Sequence, residues 1–183
     1  MKDYTTEKIR NVALGAHATV GKTTLADAML YSAGALNRIG SIDEGSTTSD
    51  YHPDEIERKF SISTSLMYCF HKDHKINIID TPGYSDFVGE VYGAMRAADT
   101  AIILINAVSG VEVGAETINK IAERENVSRV LFINRCDKEH AEFDETVKKI
   151  KNSFGANAVP VQIAVNPGEG FNKIVDLIEM KLR

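Results

Sequence analysis

Apolar positions along this chain recur at two different spacings. Short apolar runs at 9–15, 61–70, 74–80, 100–107, 130–134 and 159–165 have strand length. Between and after most of them, at 22–33, 87–97, 114–125, 141–154 and 171–181, apolar residues return with helical spacing. Continuous or alternating short runs predict strands, and a period near 3.6 predicts helices. Strand followed by helix, repeated, predicts an α/β fold with a mostly parallel sheet. The runs 61–70 and 74–80 are joined only by His71-Lys72-Asp73, too short for a crossover, so these two strands form an antiparallel hairpin. A turn at Pro167-Gly168-Glu169-Gly170 separates the last strand from a terminal helix over 171–181. The segment 34–59 is polar, contains Gly and Ser, and follows neither period. It is too long for an idle connection, which predicts a mobile, functional stretch.

Composition narrows the setting. The 183 residues carry 21 Lys+Arg and 26 Asp+Glu, a net charge of −5, with 43% hydrophobic and 26% charged residues. That is an ordinary globular composition, and the length suits one domain of about 150 residues. The acidic balance argues against independent nucleic-acid binding by charge. Cys69 and Cys136 are the only cysteines. With no charged-then-apolar leader in residues 1–10, they predict a reducing, cytoplasmic setting without a disulfide framework. The longest apolar stretch, 101–108, is interrupted by Asn106 and is too short to span a bilayer, so no membrane association is expected. Cys69, His71 and His74 supply only three ligands at one turn, with no second Cys/His pair nearby, and read as a solvated turn. The charged stretch 54–59 reads equally as a solvated face or a partner contact.

Three short motifs carry chemistry. Ala16-His17-Ala18-Thr19-Val20-Gly21-Lys22-Thr23 joins the first strand to the first helix and is followed by Thr24. It matches the phosphate-binding loop G-x-x-x-x-G-K-[ST], with Ala16 in place of the first Gly. Such a loop turns backbone N–H groups around phosphate oxygens, extends a Lys to the β- and γ-phosphates and offers a hydroxyl to Mg²⁺. His17 within it is given a packing or hydrogen-bonding role. Asp80-Thr81-Pro82-Gly83 ends the strand 74–80. There an acid can serve Mg²⁺, and Gly83 can bring its N–H to a γ-phosphate. Asn134-Arg135-Cys136-Asp137 follows another strand and resembles the Asn-Lys-x-Asp base-reading motif of GTPases, with Arg135 for Lys. An ionised Asp137 accepts from guanine N1–H and N2–H, groups that adenine lacks, which favours GTP over ATP. All three motifs fall at strand carboxyl ends, where open α/β sheets bind ligands.

Together these motifs resemble the G domain of the translational GTPases, of the elongation factor G and elongation factor G-like kind. The likeness rests on 16–24, 46–50, 57–63, 80–90, 108–114 and 132–138 and runs over nearly the whole chain from Arg10 onward. It implies the three-layer sandwich of P-loop nucleoside triphosphatases, GTP and GDP as ligands with Mg²⁺, slow GTP hydrolysis in the isolated monomeric domain, and the ribosome as partner and activator. It implies switch I at 34–60 and switch II at 80–95, with the Ser61 hydroxyl joining Thr23 and Asp80 at the metal. Lys22, Gly83 and Tyr84 are the implied catalytic residues. Tyr84 stands where elongation factor G carries His, and its phenol is a poor base that can still orient water. Thr19 replaces the Asp usual in the loop, removing the acid of a monovalent-cation site. The stretch 156–183 resembles the start of a subdomain inserted in elongation factor G. The Ser-Ala loop expected beyond that insert is absent, so either the chain is truncated before it, which is the expectation, or Ala164-Val165 stands in for it. A guanine-nucleotide-dependent ribosome-binding module with little hydrolysis, and a ribosomal protection protein, are the alternative roles.

Overall fold

Strand β1 (Ile9–Ala16) runs through the middle of a five-stranded sheet of order β2-β3-β1-β4-β5. The computed structural model describes residues 4–183, so the first three residues of the stretch read for a leader lie outside the described residues. β1 pairs in parallel with β3 (His74–Asp80) and β4 (Thr100–Asn106), and β4 in parallel with β5 (Ser128–Asn134). Only β2 (Ser65–His71), hairpin partner of β3, runs antiparallel. This is the predicted sheet.

Alternation along β1 shows why the sheet is covered on both sides. Leu14 faces α1 (Lys22–Ser32), where Ala26 and Leu30 pack with Met67, Cys69 and Ile78. The neighbouring Ala13 belongs to the opposite layer, with Ile103 and Ile105 of β4. That layer is built by α3 (Val88–Ala97), α4 (Val113–Arg124) and α5 (Phe143–Phe154), which contribute Met95, Ile118, Ile121 and Ile150. Strands buried on both faces read as continuous apolar runs, as β4 does. The result is the expected three-layer sandwich. Among the described residues, no helix is long and apolar enough to cross a membrane.

Four parts of the chain differ from the pattern-based expectation. The segment 34–59 contains a short helix, α2 (Pro53–Arg58). Pro53 takes the first helical position, and the Glu55 side chain accepts the His52 N–H at 3.4 Å, a local start signal that hydrophobic period does not register. β2 begins at Ser65 rather than at 61, because the N–H groups of Ile62, Ser63 and Thr64 are taken by the carboxylates of Glu55 and Glu90. Lastly, the terminal helix over 171–181 does not form. β6 (Gln162–Ala164), β7 (Ile174–Asp176) and β8 (Lys181–Leu182) make a separate antiparallel three-stranded sheet. Asp176 accepts the N–H groups of Ile178 and Glu179, both at 3.0 Å, and Met180 takes a left-handed φ of 53°, so the chain turns back into a hairpin. Ile174 and Val175, stiff at χ1, pair across with Ala164 and Ile163. β6 is shorter than predicted because Pro160 cannot donate to a ladder and Val159 and Val161 are exposed.

Ile103 has no exposed surface. Ile103→Ala therefore lowers the unfolding free energy by about 2–5 kcal/mol, whereas Leu182→Ala, on the exposed β8, changes it by less than about 0.5 kcal/mol. Urea titrations of the two variants check the contrast.

Candidate functional site

Parallel pairing brings three loops to one rim. β1 ends at Ala16 and α1 begins at Lys22, leaving 17–21 as the connecting loop. Thr19 and Gly21 lie in the left-handed region, with φ of 64° and 107°. At Gly21 a Cβ would stand 2.7 Å from Asn134 Nδ2, so both backbone angle and space call for glycine. Ala16, at the position of the usual first glycine, is fully buried with Val20 and Leu104, so its methyl faces the core. His17 packs against the start of α4, where a Cβ on Gly114 would lie 2.9 Å from His17 Nδ1. Thr24 is exposed on the first turn of α1.

Lys22 and Asp80 are the charged centre. Lys22 is 6% exposed, and burial holds its ammonium below the usual lysine range, against the pull of Asp80 and Asp50. Asp80 is 1% exposed, and burial pushes its carboxyl up to about 6, opposed by Lys22 and by hydrogen bonds from Ser49 and Thr23. Its Oδ2 accepts the Ser49 and Thr23 hydroxyls at 2.9 and 3.0 Å, while its buried Oδ1 has no partner.

Ser61, far along the chain, arrives at the same place. Its hydroxyl donates to Asp50 Oδ1 at 2.6 Å and lies 3.3 Å from the Thr23 hydroxyl. With Thr23 donating to Asp80 and Ser61 to Asp50, neither proton is left for the other oxygen. Both oxygens keep lone pairs to offer, 3.3 Å apart, and Thr23 bonds the carboxylate whose other oxygen has no hydrogen-bond partner. Adjacent oxygens around an octahedral Mg²⁺ with bonds of about 2.1 Å stand about 3 Å apart, so this oxygen set fits a small hard cation. Asp50 itself is raised by burial, with the Ser61 hydrogen bond opposing.

The second loop follows β3. Thr81 is fully buried and donates to the Leu14 carbonyl at 2.7 Å, pinning this loop to β1. Pro82 is buried beside it. At Gly83 a Cβ would meet Ala18 Cα at 2.8 Å, so the two loops touch through backbone. Tyr84 is 40% exposed, and its ring lies 4.6 Å from that of Phe60. The third loop follows β5: Asn134 Nδ2 donates to the Val20 carbonyl at 2.9 Å and Arg135 donates to the Thr19 carbonyl, tying it to the phosphate loop. Asp137 is exposed and pairs with Lys138 at 3.1 Å. The Gly168 N–H reaches the Cys136 carbonyl at 2.7 Å, and Ala164 packs in one apolar cluster with Cys136. The Cys136 thiol is pushed up by burial.

Sequence reasoning gave no site role to Ser49, Asp50 or Glu55, all buried and all within the polar segment, although 46–50 carries part of the family likeness. Hydrophobic period says nothing of such residues. The available signal was their place just ahead of Ser61.

A parallel sheet whose Gly-Lys-Thr turn opens onto a buried acid at the carboxyl rim is the framework of a P-loop nucleotide-binding domain. The sequence profile of the Elongation factor Tu GTP binding domain matches residues 7–182, and the chain belongs to that family. Elongation factor G of Thermotoga maritima is 42% identical over 175 residues, which are 96% of this chain and 25% of that protein. Elongation factor G of Salinibacter ruber is 40% identical over 180 residues, 98% of this chain and 26% of that protein. A crystal structure of a Thermus thermophilus protein superposes with a TM-score of 0.90 at 34% identity, covering 96% of this chain and 26% of that one. The chain thus spans about a quarter of the length of the relatives it matches.

Asp80 yields a pH prediction. Its folded value near 6 lies above the ordinary 3.8, so the folded state binds the proton more tightly. Stability of the metal- and nucleotide-free chain therefore falls as pH rises from about 4 to about 6, then levels, by roughly 3 kcal/mol at most. Urea midpoints measured in chelator across that range show the fall, and Asp80→Asn reduces it.

Proposed function

We propose that the chain binds GTP and GDP with Mg²⁺, hydrolyses GTP to GDP and phosphate, and forms the nucleotide switch of an elongation factor G-like translation factor acting on the ribosome in the cytoplasm. The observation that carries this reading is the buried Lys22–Asp80 centre, with one Asp80 oxygen lacking a hydrogen bond and the Thr23 and Ser61 hydroxyls, 3.3 Å apart, donating to Asp80 and Asp50. Buried charges are retained where they are paired or hold an ion, and a metal-bound triphosphate supplies both. Relatives named elongation factor G support the ribosome as partner.

Each residue then has a task. Backbone groups of Ala16 through Thr24, with Gly21 at the tight turn, surround the phosphates, and Lys22 neutralises the β- and γ-oxygens. Thr23, Ser61 and Asp80 would hold Mg²⁺, which when bound draws charge from the β- and γ-phosphate oxygens. Gly83 gives its N–H to the γ-phosphate from the loop that Thr81 and Pro82 fix. The Tyr84 phenol orients the attacking water. The water oxygen bonds to the γ-phosphorus as the bond to the β–γ bridging oxygen breaks. GDP leaves with that oxygen, and the water's proton passes to the phosphate released. Asn134 braces the base loop, Arg135 lies along the base and Asp137 accepts from guanine N1–H and N2–H. The segments 34–60 and 80–95 are the two switches, and 156–183 opens the inserted subdomain.

Single-turnover GTP hydrolysis with and without ribosomes tests the reading: ribosomes accelerate it, and an unchanged rate overturns the translational role. Lys22→Ala weakens GTP binding by about 100-fold or more, since the phosphates lose their buried cation. Asp137→Asn cuts the preference for GDP over ADP by about 1–3 kcal/mol, read by competition between the two nucleotides. An unchanged preference removes Asp137 from base reading.

A further inference from the structure

Ser61 sits on irregular backbone with no sheet or helix ladder to hold it, yet its hydroxyl lies within hydrogen-bond reach of two partners, Asp50 at 2.6 Å and Thr23 at 3.3 Å. What fixes it lies on the following residues. Backbone N–H groups outside a ladder bond to side chains or to water. Those of Ile62 and Ser63 both end on a single oxygen, Glu55 Oε1, at 2.8 and 3.1 Å. The next N–H, of Thr64, ends on Glu90 Oε2 at 2.9 Å, from α3. Three successive amides are thus held by two carboxylates from different parts of the chain. Glu55 is itself 1% exposed, and its backbone carbonyl accepts the Phe60 N–H at 3.3 Å, so it grips the chain on both sides of Ser61.

Helix capping does not account for this side chain. Its contact with the start of α2 uses the other oxygen, Oε2, on the His52 N–H at a long 3.4 Å, while the two shorter bonds go to Ile62 and Ser63. A buried carboxylate is costly unless its hydrogen bonds are made, and here the stronger ones are made to the backbone that carries Ser61.

We infer that Glu55 is a positioning residue for the Ser61 hydroxyl, setting it beside that of Thr23 for a magnesium-bound nucleoside triphosphate. The inference rests on the GTP and Mg²⁺ reading above and adds to it the residue that makes Ser61 competent. Glu55 touches neither nucleotide nor metal on this account, and acts only through the 61–63 backbone.

The test measures dissociation constants of fluorescently labelled GTP and GDP on the 183-residue chain, in Mg²⁺ and in chelator. In the wild type Mg²⁺ tightens GTP binding. Glu55→Ala reduces that tightening by about tenfold while leaving GTP in chelator within about twofold of wild type. Glu55→Gln, which keeps the oxygen that takes both amides, retains the tightening to within about threefold. Ser61→Ala loses as much as Glu55→Ala, and the double variant loses no more, because the two act as one unit. Equal losses in Mg²⁺ and chelator, or losses that add in the double variant, overturn the assignment. A wild-type chain that fails to bind GTP removes the reading beneath it instead. Should Glu55→Ala not fold, amide exchange on the nucleotide-free wild type decides: slowed exchange at Ile62 and Ser63 supports the grip, and exchange at the free-peptide rate overturns it.

Discussion

The parallel register between β1 and β3 is the constraint from which the site follows. It sets Leu14 opposite Asp80, so that the strand feeding the phosphate loop and the strand feeding the acid end at one level. The register between β4 and β5 does the same for Asn134, set opposite Asn106. A slip of one residue would turn Ala13 and Leu14 toward the wrong layers and carry the loops with them. Burial of Leu14, Ile78 and Ile103 therefore holds the geometry of the polar site at the rim.

On that frame the loops lock to one another mainly through side-chain donors set on backbone carbonyls. Thr81 bonds the Leu14 carbonyl, Asn134 and Arg135 bond the carbonyls of Val20 and Thr19, and Gly83 lies against Ala18. Glycine at 21 and 83 permits these approaches. The two departures in the phosphate loop fit the same picture. Ala16 turns its methyl into the core, and Thr19 contributes a carbonyl to Arg135 irrespective of its side chain.

The polar segment between α1 and β2 is organised by carboxylates where the rest of the chain is organised by apolar contact. Asp27, fully buried on α1, accepts the N–H groups of Gly40 and Thr48 at 3.0 and 3.2 Å. Asp50 and Asp80 take hydroxyls, and Glu55 takes backbone amides. Such bonds are directional and charge-assisted but bury little apolar surface, so this stretch is held by placed donors and acceptors rather than by packing. Among the buried acids near the nucleotide loop, Asp80 and Asp50 are held up by burial, and Lys22 is the cation set against them.

Sequence alone determined the alternating strand and helix order, the hairpin at 71–73 and the three rim motifs, because those depend on period and on local turn chemistry. It misjudged 171–181, where an Asp176-centred turn and cross-strand pairing outweighed a helix-like spacing of Phe171, Ile174 and Ile178. Nor did it give a role to Ser49, Asp50 and Glu55, whose meaning comes from partners 31, 11 and 7 residues away. The family resemblance implied that Ser61 meets Thr23, and the fold brings their hydroxyls to 3.3 Å; only the tertiary structure decided that Ser61 donates to Asp50 and that Asp80 keeps one oxygen without a hydrogen bond. Burial and long-range hydrogen bonding are properties of the folded arrangement, and no local pattern encodes them.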